Sequence, residues 1–137
     1  MYADGYENIT NIDYSRHVIK NMKKLNENKY PKMKYKVMDV TDMDFYDCSF
    51  DFVIDKGTLD ALLCGENVNQ VKMFEEIERV LKFGGVYFCV SHEAPEERFQ
   101  LFFGYCWKKK VYKVNKYYTS EDNKDFCFVY RMIKSRN

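Results

Sequence analysis

The chain has 137 residues, a net charge of +1, and 46% apolar against 31% charged residues, with only 2 prolines and 6 glycines. These values describe a single folded domain over residues 1–137 and exclude a collagen-like or disordered polypeptide. No apolar run is long enough to cross a membrane, and Met1-Tyr2-Ala3-Asp4-Gly5 has neither the basic end nor the apolar stretch of a secretion signal.

The first strand is expected over residues 8–13, ending in the carboxylate of Asp13. A helix follows from Ser15, a plausible N-cap, to about Asn28, with Val18, Met22 and Leu25 as its apolar stripe and Tyr30-Pro31 as its stop. Alternation from Met33 predicts a second strand that ends in Asp39. Phe50 to Asp55 is a third strand. Its Phe52-Val53-Ile54 core is apolar on both faces, the pattern of an interior parallel strand. Leu59 to Leu63 reads as a short helical turn, and Val68 to Leu81 as a helix with Val71, Phe74, Ile77 and Leu81 inward. Phe83-Gly84-Gly85 ends that helix and leads into a buried strand over 86–90. Pro95 to Phe103 is a helix with proline at its start. The chain closes with an antiparallel hairpin. Its strands run from Trp107 or Val111 to about Lys116 and from Phe126 to about Ile133, joined by the polar turn 119–125.

Strands alternating with amphipathic helices predict an α/β fold: a Rossmann-like, open, mostly parallel sheet with a C-terminal antiparallel strand beside 86–90. In such sheets ligands bind beyond the C-terminal ends of the strands. An acidic strand-end residue can accept from both hydroxyls of a ribose. Asp13, Asp39 and Asp55 all stand at such ends.

The five cysteines are odd in number and have no paired spacing. They read as small hydrophobes in a reducing, cytoplasmic setting rather than as a disulfide framework or metal site. Residues 101–137 carry a net +6 and the first 100 a net −5. The Lys108-to-Lys116 string interleaves basic and aromatic residues, but a solvated hairpin face produces the same string, so nucleic-acid binding is not expected. His17 is read as a surface residue and His92 as packing in the turn after strand 86–90.

The runs Asn11-Ile12-Asp13-Tyr14-Ser15, Met38-Asp39-Val40 and Ser49 to Ala61, with DKGTLDA at 55–61, closely resemble the class I, seven-strand S-adenosylmethionine-dependent methyltransferases. They look most like the branch associated with endothelin-converting enzyme 2, whose characterised members modify lysines or the N-terminus of elongation factor 1A. Arg79-Val80-Leu81-Lys82-Phe83-Gly84-Gly85 is similar to that family's lead-in to its fifth strand. The resemblance implies a protein-lysine methyltransferase in which Asp13 holds the cofactor's ribose, Tyr14 lies beside the adenosine, and Asp39 and Val40 flank the adenine. It also places Lys56 and the backbone around Asp55 where cofactor and substrate meet, with Asp55 as the candidate catalytic carboxylate beside the substrate amine. A structural contact from Asp55 to the following turn is the competing reading, and Asp60 is read as capping or pairing near the short helix.

The family's order of strands, 3-2-1-4-5-7-6, starts from a strand and an acidic-G-x-G-x-G loop that the 137 residues do not contain. The resemblance therefore implies an N-terminally truncated fold, with weak or absent S-adenosylmethionine binding by this polypeptide. A catalytically inactive partner or scaffold is the alternative. Three arrangements could fill the gap between strands 8–13 and 50–55: direct pairing of the two, a second chain, or a longer native protein. Direct pairing satisfies the backbone most cheaply. A thinly covered sheet face would favour self-association.

Overall fold

The computed structural model describes residues 1–65, 69–115 and 126–136. Two compact units appear, residues 1–44 and 45–137.

In the first unit a short 3-10 turn, Tyr2–Asp4, precedes strand β1 (Thr10–Asp13), helix α1 (Arg16–Asn26) and strand β2 (Lys34–Val37). β1 and β2 pair in parallel, with Thr10 opposite Lys34 and Asp13 opposite Val37. The connection is a β-α-β crossover, which requires a helix because parallel strands cannot be joined by a tight turn. Ser15 starts that helix as expected. Its Oγ accepts from the Val18 amide at 3.3 Å, while its own amide donates to Asp13 Oδ1 at 2.8 Å. The buried residue of α1 is Ile19. Val18, Met22 and Leu25, the expected stripe, are exposed. The three-four spacing locates an apolar sector but not its centre, and Ile19 is one residue, or about 100°, away from Val18.

The second unit holds β3 (Phe50–Lys56), α2 (Thr58–Leu63), α3 (Asn69–Val80), β4 (Leu81–Ser91), α4 (Pro95–Leu101), β5 (Trp107–Asn115) and β6 (Phe126–Lys134). Its sheet has the order β3-β4-β6-β5. β3 is parallel to β4, and β6 runs antiparallel beside β4 with Val86 opposite Ile133, the placement expected from sequence. β5 completes the hairpin with β6. The expected turn 119–125, Lys116 and Val68 lie outside the described residues.

β4 begins at Leu81, directly after α3, rather than at Val86. Phe50 faces Leu81 and Phe52 faces Val86, so residues 82–85 form a bulge. The two glycines permit it: Gly84 has φ +80°, and a Cβ on Gly85 would lie 2.8 Å from the Lys82 carbonyl oxygen. Inside the unit, the Phe74 ring meets Phe102, Trp107 and Tyr105 edge-on at 5.3, 5.9 and 5.7 Å. α3 buries Met73, Phe74, Ile77 and Val80, while Val71, expected inward, is exposed. Buried Lys134 caps the C-terminal end of α3, donating from Nζ to the carbonyls of Glu78 (2.6 Å) and Leu81 (2.9 Å).

Two expectations are corrected. β3 is an end strand of its sheet, not an interior one, and Phe52 and Ile54 remain 48% and 51% exposed. Of the three arrangements left open for the gap, direct pairing of strands 8–13 and 50–55 is not among the strand pairs of the described residues, which form two sheets, β1-β2 and β3-β4-β6-β5. In the family's numbering these are the stretches 3-2 and 4-5-7-6 of the expected order. An apolar strand sequence marks faces suited to burial, and says nothing about which backbone edge is paired.

Candidate functional site

In the first unit the parallel register brings two expected carboxylates to one sheet edge. Asp13 is the last residue of β1, and Asp39 stands two residues beyond Val37, its opposite number in β2. Each carboxylate spends one oxygen on its own turn. Asp13 Oδ1 accepts from the Ser15 amide. Asp39 Oδ1 accepts from the Thr41 amide and hydroxyl, both at 2.8 Å. Among the described residues, Oδ2 of each takes no hydrogen bond. Such a pair, held in place through one oxygen and open at the other, is suited to accept hydroxyl or amine donors from a ligand. Tyr14, next to Asp13, is 84% exposed, and Val40, next to Asp39, is half-buried. A cleft of about 520 Å³ lies at the opposite, N-terminal edge of these strands, lined by Glu7, Asn8 and Pro31 to Lys34, away from the carboxylates.

In the second unit, Asp55 and Lys56 end β3, where Lys56 is opposite Val90. Lys56 is exposed. Asp55 is 5% exposed, and its carboxylate is fully engaged. Oδ1 accepts from the Thr58 amide at 2.8 Å; Oδ2 accepts from the Leu59 amide (3.2 Å), the Tyr87 hydroxyl (3.1 Å) and the Cys89 thiol (3.6 Å). Gly57, at φ +86°, turns the chain so that the first amides of α2 point back at this carboxylate. Burial, reinforced by the charge of Asp55, pushes the Cys89 thiol up to about 12, and burial raises the Tyr87 phenol well above its ordinary value. The hydrogen bonds are those of the structural reading of Asp55: it caps α2 from three residues upstream.

Next to it stands a cluster not singled out as functional from the sequence. Asp60 Oδ1 accepts from Ser91 Oγ and from Arg98 Nη2, each at 2.7 Å. Arg98 Nη2 also reaches Ser91 Oγ at 2.9 Å, and the Glu93 amide donates to the same oxygen at 3.1 Å. Ser91 is the last residue of β4, so the cluster sits at the C-terminal edge of the sheet. The available signal was an arginine placed in the otherwise acidic first turns of α4, Pro95-Glu96-Glu97-Arg98.

A family model described as "Methyltransferase domain" matches residues 3–131. The chain belongs to the methyltransferase-domain family. Among curated proteins, this methyltransferase domain is 48% identical over 95 residues to the eEF1A lysine and N-terminal methyltransferase of Bos taurus, covering 66% of the chain and 14% of that protein. It is 38% identical over 146 residues to the Xenopus laevis protein of the same name, covering 99% and 21%. The EEF1A lysine methyltransferase 4 of Mus musculus is 33% identical over 108 residues, with 72% of the chain and 42% of that protein covered. The chain thus spans less than half the length of each of these relatives.

Solved structures share the fold. A SAM-dependent methyltransferase from Methanosarcina mazei superposes with a TM-score of 0.75 at 18% identity, covering 93% of this chain and 82% of its own. The N-methyltransferase NodS from Bradyrhizobium japonicum, solved with S-adenosyl-l-homocysteine, gives 0.75 at 13% identity, covering 95% and 68%. No helix among the described residues is long and apolar enough to cross a membrane.

Proposed function

We propose that this methyltransferase domain works in an S-adenosylmethionine-dependent protein methyltransferase that modifies an amine nitrogen, a lysine side chain above all, of an elongation-factor-1A-like protein. The observation that carries the reading is the identity to eEF1A methyltransferases, which extends over 99% of the chain in the Xenopus laevis protein. The match over residues 3–131 runs through both compact units, which supports treating them as one domain. Cytoplasmic residence follows as part of the same proposal, from the substrate those relatives are named for.

The residues fit the cofactor chemically. Asp13 is a half-buried carboxylate with one oxygen fixed by Ser15 and the other open, as a ribose-diol acceptor requires. Asp39 and Val40 are proposed at the adenine edge, Tyr14 against the adenosine, and Lys56 at the wall facing the substrate. When bound, S-adenosylmethionine supplies an electrophilic methyl group on a sulfonium. The chain's own contribution is to position and desolvate the amine, which must arrive without its proton. Asp55 serves by holding the turn 56–59 in shape; a direct proton-accepting role for it requires its present donors to be exchanged.

The 137-residue polypeptide contains no G-x-G-x-G run, and we propose that on its own it holds S-adenosylmethionine weakly. The half-exposed Phe52 and Ile54 on end strand β3 support self-association of this polypeptide, which light scattering from micromolar to hundred-micromolar concentration checks. The functional test is incubation of the protein with methyl-labelled S-adenosylmethionine and purified elongation factor 1A. Label on a lysine of the factor, located by mass spectrometry, is the expected result. Absence of protein-bound label when S-adenosylmethionine is supplied at concentrations that saturate even a weak site overturns the reading in favour of an inactive partner protein.

A further inference from the structure

Two carboxylates of the second unit, Asp55 and Asp60, differ in how far their oxygens are engaged. All four donors around Asp55 come from its own surroundings, and the residue is buried. Asp60 differs in both respects. Its side chain is 29% exposed, and both of its hydrogen bonds fall on Oδ1. Among the described residues, Oδ2 has no donor. The donors on Oδ1 are rigid: Ser91 is buried at the end of β4, and the Arg98 side chain is 4% exposed.

The cluster is a poor device if stability were its only purpose. Burying the Arg98 guanidinium costs desolvation energy, which its pairing with the part-exposed Asp60 offsets only in part. Here Nε of Arg98 is also buried without a partner among the described residues, which adds a further penalty. What the pair does achieve is direction. One carboxylate oxygen is clamped by two short bonds, so the other is held at the strand-end edge, where ligands of α/β sheets bind. The charge nearby selects the ligand. Arg98 is enclosed and already engaged, so an anion gains no access to it. Glu93, whose amide bonds Ser91, and Glu96 and Glu97 in the first turn of α4 are exposed or half-exposed and add negative charge. A cation is the favoured visitor.

We propose that Asp60 Oδ2 is the recognition point for a primary ammonium or amine of the protein substrate, with Ser91 and Arg98 as the positioning residues that aim it. This deepens the methyl-transfer reading and rests on it for the identity of the substrate, though the binding claim stands on the cluster alone. The source of the amine is either a lysine side chain or a chain N-terminus.

The test follows backbone amide shifts of the protein by NMR in the presence of S-adenosylhomocysteine. Three probes are titrated separately: Nα-acetyl-lysine N-methylamide, its norleucine counterpart without the amine, and glycylglycine amide with a free N-terminus. At least one amine probe should bind about tenfold or more tightly than the norleucine compound, and the better of the two names the source. Asp60→Asn keeps an acceptor for Ser91 and Arg98, so it retains the fold, and should abolish the preference. Ser91→Ala should cut the preference several-fold while norleucine binding stays unchanged, which a general loss of structure would not do. Equal binding of amine and norleucine probes, or a preference that survives Asp60→Asn, overturns the proposal. A preference that survives Ser91→Ala removes Ser91 from the positioning role. Shifts caused by S-adenosylhomocysteine in the same samples report on the methyltransferase reading separately. If they are absent while the amine preference persists, the reading fails and Asp60 recognition stands.

Discussion

Oδ1 of Asp55 lies 2.8 Å from the amide nitrogen of Thr58, and this bond joins the end of β3 to the start of α2 across Gly57. The N-terminal amides of a helix need acceptors, and here the acceptor comes from the preceding strand. Asp55→Ala removes it and leaves two amides and the Tyr87 hydroxyl facing a cavity. The expected cost is about 2–4 kcal/mol, read as a lower midpoint in urea denaturation. A mutant of unchanged stability would mean that Asp55 does not hold this turn.

A second expectation concerns the bulge 82–85. A methyl group on Gly85 would come within 2.8 Å of the Lys82 carbonyl and 3.2 Å of the Asp51 carbonyl, both of them backbone. Gly85→Ala should therefore destabilise by about 1–3 kcal/mol through overpacking and loosening of the β3–β4 register. Thermal unfolding with a midpoint equal to that of the parent would contradict this.

Alkaline pH should weaken the fold. Burial pushes the thiol of Cys89 and, on the same ground, the phenol of Tyr130 up to about 12 each. The folded state keeps these groups neutral. The unfolded state releases their protons first, near 9 for the thiol and near 10 for the phenol. Their contribution to stability is therefore complete below pH 9 and is lost as pH rises towards 12. The thermal midpoint, measured between pH 8 and 11, should fall steadily above 9. A flat profile would refute the assignment.

Cysteine accessibility gives a chemical check on the same core. Cys48, Cys64 and Cys106 are exposed, whereas Cys89 is buried between β3 and β6 beside Asp55. Brief alkylation at pH 8 followed by peptide mass spectrometry should mark the first three and spare Cys89. Rapid labelling of Cys89 would indicate that β4 is not packed as described.

Much of this fold was legible from local chemistry. Ser15 announced the start of α1, Pro95 the start of α4, the continuous apolar run 86–90 announced β4, and the terminal hairpin announced an antiparallel β6. What the sequence withheld was long-range. Ile19 could not be separated from Val18 without knowing where the sheet lies, and β3 looked interior because both of its faces are apolar while its backbone edge leaves no mark in the side chains. The same holds at the site. That Asp13 and Asp39 share one sheet edge was legible from the strand ends. The Asp60–Ser91–Arg98 cluster joins residues 31 and 38 positions apart, which no spacing rule connects.

Titration of the 137-residue polypeptide with S-adenosylhomocysteine, followed residue by residue by NMR, checks the proposal that the Asp13–Asp39 edge receives S-adenosylmethionine. The expected result is weak binding, with a dissociation constant well above about 1 μM, and shifts concentrated at the amides of Asp13, Tyr14, Asp39 and Val40; Asp13→Ala should weaken it by a further ~2–4 kcal/mol, through loss of charge-assisted bonds. Shifts centred on the cleft between Glu7 and Lys34, or none at millimolar ligand, would contradict it.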